Sequence, residues 1–426
     1  MDFWMILSLG VMTALLLLGV EIFVCLGIGT ILITLLTGSF PLANIGLMAF
    51  GGLDVFPLLA LPLYILTGDL ISEGGISKLL VDFARAAVGW LRGGLAVTTL
   101  WAAEGFAAIS GSNSATVAAI GKIMVPELKK DAYPADFAAG TIASCGAVGI
   151  ITPPSIIFIL YGITAGVSVS DLFLGGILTG FVMVTAMSCT AFLVCRHRQI
   201  GSKTPFRFKT FLQTAWKAKL PFGATFIILG GIYGGIFTPT EAASVAVIYC
   251  LLAGLFVTRK LSIRNLPRVM EGSAEIAGMI APIIVMAGIL SETLAVIHMP
   301  EFGAKLLLGL SENPVILMII IQLILLIAGC VMEAGPNVLL LAPLLAPVAI
   351  KIGYDPIHFG VIMVVNLAIG YITPPFGMNL FIASSVTGVP YTRIVKNAIP
   401  YIIALLFALA IIVIFPALST FFLQKR

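Results

Sequence analysis

One short string occurs twice in this chain, and it limits the fold more than any other feature. Gly149-Ile150-Ile151-Thr152-Pro153-Pro154 returns 221 residues later as Gly370-Tyr371-Ile372-Thr373-Pro374-Pro375. Both copies lie inside apolar stretches long enough to cross a membrane. Two consecutive prolines cannot continue a helix, because two N–H donors are missing and the rings clash with the preceding turn. In lipid an unpaired backbone group is costly, so a broken span must be buried in protein or line a cavity. A matched pair of interrupted spans, one per half, points to a transporter binding site.

Composition supports the membrane setting. Of 426 residues, 60% are hydrophobic and 10% charged, and mean hydropathy is +1.15; soluble domains carry about 25% charged residues. The first apolar segment, Phe3 to Leu18, lacks a basic leader and a small-residue cleavage site, so it reads as a span. The net charge of +4 sits in a few polar loops and gives no sign of nucleic-acid binding. Six scattered cysteines without CxxC spacing read as packing residues, and His197, His298 and His358 form no ligand pair.

Apolar runs near 3–19, 22–37, 56–72, 136–168 and 171–195 read as crossings in the first half, and 219–236, 239–257, 273–297, 356–385 and 398–420 in the second. Two further runs, 95–126 and 314–350, are interrupted by Ser110-Gly111-Ser112-Asn113-Ser114 and by Glu333-Ala334-Gly335-Pro336-Asn337. Each reads as two half-length helices meeting at a tip, a re-entrant hairpin. Amphipathic stretches at 77–92 and 301–310 precede the hairpins and read as interfacial helices. Basic residues at 196–219 (including Arg196, Lys203 and Lys217) and at 259–268 place those loops in the cytoplasm. Five crossings and one hairpin per half then make the second half inverted relative to the first. The predicted organisation is a first repeat over 1–200, a cytoplasmic linker over 201–218 and a second repeat over 219–426. A gapless comparison of 113–154 with 334–375 finds ten identities in 42 positions, ending in the shared Ile-Thr-Pro-Pro.

The tip and the break together offer neutral oxygen ligands, which suit a hard monovalent cation. Carbonyl ends of half-helices hold Na⁺ and half-helix N-termini favour an anion. The candidates for a first cation site are Ser110, Ser112, Asn113, Gly149, Thr152 and Pro154; for a second they are Glu333, Gly335, Asn337, Gly370, Thr373 and Pro375. Glu333 is an intramembrane acid and so a functional candidate by default. Ser114, Thr116, Asn366 and Asn379 are candidate substrate contacts. No catalytic group is assigned: His-Glu-x-x-His, an intramembrane aspartate pair and a nucleotide-binding loop are all lacking.

These motifs, together with Gly235-Ile236-Phe237-Thr238-Pro239-Thr240-Glu241-Ala242-Ala243, resemble the large membrane subunit of the tripartite ATP-independent periplasmic (TRAP) transporters, over essentially the whole chain. The resemblance implies an all-α polytopic protein of the bacterial inner membrane, built as an inverted-repeat elevator with two re-entrant hairpins and two broken helices. It implies Na⁺-coupled import of an organic acid, of C4-dicarboxylate or sialic acid type, with Na⁺ as coupling ion and no other cofactor. The implied partners are a separate small membrane subunit and a periplasmic binding protein. The alternative is a self-sufficient Na⁺/dicarboxylate carrier of related fold. The second tip lacks the Ser-Asn-Ser of the first, a departure from symmetry between the half-sites.

Overall fold

In a computed structural model, residues 3–201 and 205–423 are described; Lys203, one of the loop charges above, lies outside them. The first half runs α1 (Phe3–Leu17), α2 (Ile22–Thr37), α3 (Asn44–Leu53), α4 (Ala60–Glu73), α5 (Ile76–Val88), α6 (Gly94–Ser110), α7 (Asn113–Lys130), α8 (Ala135–Cys145), α9 (Ile156–Ala165) and α10 (Val169–Arg198). A linker helix, α11 (Phe208–Lys217), follows. The second half begins with α12 (Lys219–Thr225), which passes through a π turn into α13 (Gly231–Tyr233), and continues with α14 (Pro239–Leu252) and α15 (Leu266–Val296). Then come α16 (Met299–Leu310), α17 (Pro314–Val331), α18 (Ala334–Lys351), α19 (Pro356–Gly370), α20 (Met378–Thr387), α21 (Tyr391–Ile414) and α22 (Ala417–Thr420).

Local chemistry sets these boundaries. Gly111, at φ +60°, ends α6 in the left-handed conformation that a side chain resists. Ser112 then caps α7, its hydroxyl accepting from the Ala115 N–H. Ser155 caps α9 in the same way after the break, accepting from Phe158 N–H at 3.2 Å. Asp355 starts α19 by accepting from the N–H groups of Ile357 and His358. Thr238 and Glu241 form a reciprocal capping box at the start of α14. Both Pro-Pro bonds, 153–154 and 374–375, are cis.

The repeat inferred from twin motifs reappears in the helix bounds. Shifted by 221, α7 (113–130) becomes 334–351, the bounds of α18, and α6 (94–110) becomes 315–331, one residue from α17. The halves also interlock: α7 packs on α20 of the second half, and its counterpart α18 packs on α9 of the first.

Two expectations need correction. The hairpin arms are not half-length. Arms of 17 and 18 residues extend about 26 Å at 1.5 Å per residue, close to the ~30 Å hydrocarbon thickness. Among the described residues seven helices are long and apolar enough to cross a membrane, and both arms of the second hairpin are among them. The 201–218 segment is also more than a linker. Its helix α11 packs on α5, with Phe211 and Phe83 ring centroids 5.6 Å apart, and the Lys219 ammonium lies over Trp216 at 4.0 Å.

Candidate functional site at the two hairpin tips

The two tips and the two breaks, more than 200 residues apart in sequence, line one cavity. Gly111, Ser112, Asn113 and Ser114 come from the first tip, Glu333, Gly335 and Pro336 from the second. Ile150 and Ile156 flank the first break, and Tyr371 and Met378 the second. Ile276, Ile280, Ile283 and Ile284 of α15 form an apolar wall. The cavity holds about 70 Å³, room for ions and a few waters. Pockets for organic ligands of drug size measure ~300–1,000 Å³, so a substrate of that kind requires the tips to part.

Four helices begin at this cavity. The first turns of α7, α9, α18 and α20 contribute Asn113, Ile156, Gly335 and Met378 to its wall. Each N-terminus carries roughly half a positive charge and unpaired N–H groups, a setting for an anion. The C-terminal ends of α6, α17 and α19, and of the 3₁₀ turn after α8, adjoin the lining residues Gly111, Glu333, Tyr371 and Ile150. Among the described residues Glu333 is the one acidic side chain in the lining, and no lysine, arginine or histidine joins it.

At the first tip the backbone is seated closely. A Cβ added to Gly149 would lie 2.7 Å from both Asn113 Cα and Ser112 O, and one added to Gly111 would lie 2.2 Å from the Pro154 carbonyl oxygen. The predicted members Ser112, Asn113, Gly149 and Pro154 therefore meet. Thr116 donates to the Ser112 carbonyl at 2.6 Å, and the Ser110 hydroxyl is buried without a partner. Thr152 faces elsewhere: its hydroxyl donates to Glu104 Oε1 at 2.9 Å.

Asn379, predicted as a substrate contact from the second half, converges on the first tip. Positions around Gly146 place Asn113 Oδ1 and Asn379 Nδ2 beside the same glycine, at 2.5 and 2.6 Å from an added Cβ. Both asparagines are buried, 4% and 0% exposed, and neither amide has a hydrogen-bond partner on either atom. Buried polar atoms rarely go unpaired, so four together mark a place for a polar ligand.

The second half-site is arranged differently. Asn337 uses its amide to cap the end of α17, donating to the carbonyls of Ala328 (3.0 Å) and Met332 (3.1 Å). Thr373 donates to the Ile369 carbonyl of its own helix at 2.7 Å. The Pro375 carbonyl accepts from the Tyr391 hydroxyl at 2.7 Å. Gly370 seats Gly329 rather than the tip, with an added Cβ 2.4 Å from Gly329 C. Gly335 has space, the nearest atom to its Cβ being Leu160 Cδ1 at 3.6 Å. Asn366 leaves the group: it donates to the Gln322 carbonyl and side chain and lines a separate cavity.

Three contributors escaped the sequence reading. Glu104 holds Thr152, Gly146 seats the two asparagines, and the Tyr371 hydroxyl accepts from the Ala334 N–H at 2.7 Å. No local pattern announces them, because each contact joins elements far apart in the chain.

Hairpins, broken helices and a shared cavity define a polytopic transporter fold. The crystal structure of the Alcanivorax borkumensis YdaH transporter has the same fold, with a TM-score of 0.60 over 87% of each chain at 14% identity. The family model of the tripartite ATP-independent periplasmic transporter DctM component matches residues 9–418, and the chain belongs to that family. It is 38% identical to the C4-dicarboxylate TRAP transporter large permease protein DctM of Pseudomonas aeruginosa, over 92% of each chain. It is 32% identical to the sialic acid large permease protein SiaM of Vibrio cholerae, over 90% of each. The isethionate permease protein DctMQ of Oleidesulfovibrio alaskensis is 38% identical over 96% of this chain, which spans 64% of that relative's length. The chain is thus a multi-pass inner-membrane protein, and its relatives are transporter permease subunits rather than enzymes.

Proposed function

We propose that this chain is the large transmembrane subunit of a Na⁺-coupled importer that moves an organic acid through the tip cavity. The observation that carries the reading is the cavity's mixed electrostatics. Four helix N-termini favour a carboxylate, while the acidic lining group, Glu333, repels one. A cation taken up first resolves the conflict, and the unpaired Asn113 and Asn379 amides, with the carbonyls around Gly149, give it neutral oxygen ligands. On this reading the first Na⁺ sits between the halves, and its binding draws α7 and α20 together.

A charged cleft touches the tip cavity at Ile276 and is lined by Asp69, Lys122, Arg268 and Glu275 among others. It offers a polar path to the site. The hairpins and broken helices form the moving unit of an elevator and α14 and α15 part of its scaffold, to which a separate small membrane subunit adds. A periplasmic binding protein delivers the substrate. Its class is an organic anion of C4-dicarboxylate or sialic acid type, in keeping with the named relatives.

The test is uptake of radiolabelled succinate and of sialic acid into proteoliposomes holding this chain, the small subunit and the matched binding protein. Uptake of one acid is expected only with an inward Na⁺ gradient. Uptake without the binding protein, or independent of Na⁺, overturns the reading; the former favours the self-sufficient carrier.

A further inference from the structure

The internal repeat exposes a second site. In the first half α10 packs on α6, with the rings of Phe181 and Trp101 5.2 Å apart. Their counterparts in the second half, α21 and α17, stand apart around a cavity of about 780 Å³. Subtracting 221 from the polar residues of this cavity identifies what replaced what. Gln322 occupies the position of Trp101, His358 that of Phe137 and Asn366 that of Cys145. Three filling side chains of the first half have become three hydrogen-bonding ones around an opening.

The polar groups are only partly used. His358 bonds Ser419 through Nδ1, 2.6 Å from Oγ, and leaves its Nε2 buried without a hydrogen bond, while Asp355 is spent on the first turn of α19. Asn366 is 1% exposed, and its Oδ1 is buried without a partner. The Gln322 amide N–H group finds only the Met318 thioether at 3.3 Å, a weak acceptor. One free acceptor and one nearly free donor thus sit side by side in a wall otherwise formed by residues such as Leu326, Leu409 and Val413. An unpaired buried amide oxygen is costly, so the site gains by filling.

From this geometry we propose that the cavity binds a neutral amphiphile from the bilayer, a monoacylglycerol-like lipid. Its hydroxyl head donates to Asn366 Oδ1 and accepts from the Gln322 amide, and its chain lies between α17 and α21. Among the described residues no lysine or arginine lines the cavity, and Asp355 does, beside His358, which disfavours an anionic head. Ile319, Leu323 and Ile414, apolar and exposed, form the rim on two of the spanning helices. The mouth therefore meets hydrocarbon, which fixes the source of the ligand as the membrane.

The experiment uses the full chain in phosphatidylcholine nanodiscs with a diazirine-bearing monoacylglycerol. Saturable photolabelling at one lipid per chain is expected, mapped to α17 or α21. Unlabelled monoacylglycerol should compete, and the fatty acid anion of the same length should compete at least tenfold less well. Gln322→Leu, which removes the amide, and Gln322→Trp, which restores the first-half side chain, should each weaken labelling at least tenfold. The proposal is overturned if wild-type labelling does not saturate, or if the fatty acid or a plain alkane competes equally. It also fails if either variant, shown to be folded by its thermal transition, labels as wild type does.

Discussion

Gly149 gives the sharpest test of the cation site, because the atoms that would meet a side chain there are backbone. Replacing Gly149 by Ala places a methyl 2.7 Å from Asn113 Cα and from Ser112 O and 3.0 Å from Asn113 N. The carbon contact is about 0.8 Å inside the ~3.5 Å optimum. A flexible side chain could swing away; the cap that starts α7 cannot move without carrying the tip. Overpacking of this kind costs about 1–3 kcal/mol, and if that cost falls on the ion-binding conformation it weakens Na⁺ binding by about 5- to 150-fold, at tenfold per ~1.4 kcal/mol. Gly335→Ala is the matched control, since its methyl would meet only Leu160 Cδ1 at 3.6 Å, an ordinary contact. The measurement is the Na⁺ concentration for half-maximal uptake in proteoliposomes, after thermal unfolding has shown both variants folded. A value for Gly149→Ala within twofold of wild type, or a larger shift for Gly335→Ala, would refute the claim that the first tip and first break form one cation site.

Asn113→Leu and Asn379→Leu should each raise the half-saturating Na⁺ concentration about tenfold, and the double variant by much less than the product, because the two amides serve one site; independent, multiplying effects would separate them. Thr152→Val removes the hydrogen bond to Glu104 and leaves the carboxyl without its partner, so thermal unfolding in detergent should show a loss of about 1–3 kcal/mol. Thr373→Val removes a bond to its own helix at Ile369 and one with the Cys330 thiol, and Na⁺ half-saturation should stay within twofold of wild type; a tenfold rise would return the Thr373 hydroxyl to the second site. Thr238→Ala abolishes the capping box of α14 and should cost about 0.5–2 kcal/mol of stability with the uptake rate preserved.

Much of this architecture is legible in the sequence because its signals are local. Proline pairs, Ser caps and a left-handed Gly decide where helices stop and start, and the 221-residue offset carries the bounds of α5, α6, α7 and α9 to those of α16, α17, α18 and α20 within two residues. What escapes is decided by packing. α3 contains three glycines in ten residues and has little intrinsic reason to be helical; it forms lying against α15. α11 hides in a loop notable for its charge, although its apolar face meets Phe83. Asn366 lies one turn before Gly370 and looks like a cavity residue, but helical rotation turns it to Gln322 of α17. The pairing of Asn113 with Asn379 requires the interlock of α7 with α20, which no local pattern encodes.

The departure from symmetry carries the last step of the argument. The halves agree in their hairpin boundaries and disagree in how each hairpin sits on its broken helix. Gly149 receives the tip itself at Ser112 and Asn113, whereas Gly370 receives Gly329, about one turn before the tip at Glu333. Residues 151–155 of the first break are buried throughout, while Pro374, Pro375 and Phe376 of the second are exposed. Two similar sequences thus hold two different seatings, one closed and one withdrawn by a turn. The same motif thus supports both arrangements within one fold. On the proposed elevator reading, exchange of the two seatings opens the opposite side of the cavity, and the glycines at 149, 329 and 370 are the positions where a single methyl group should bias that exchange.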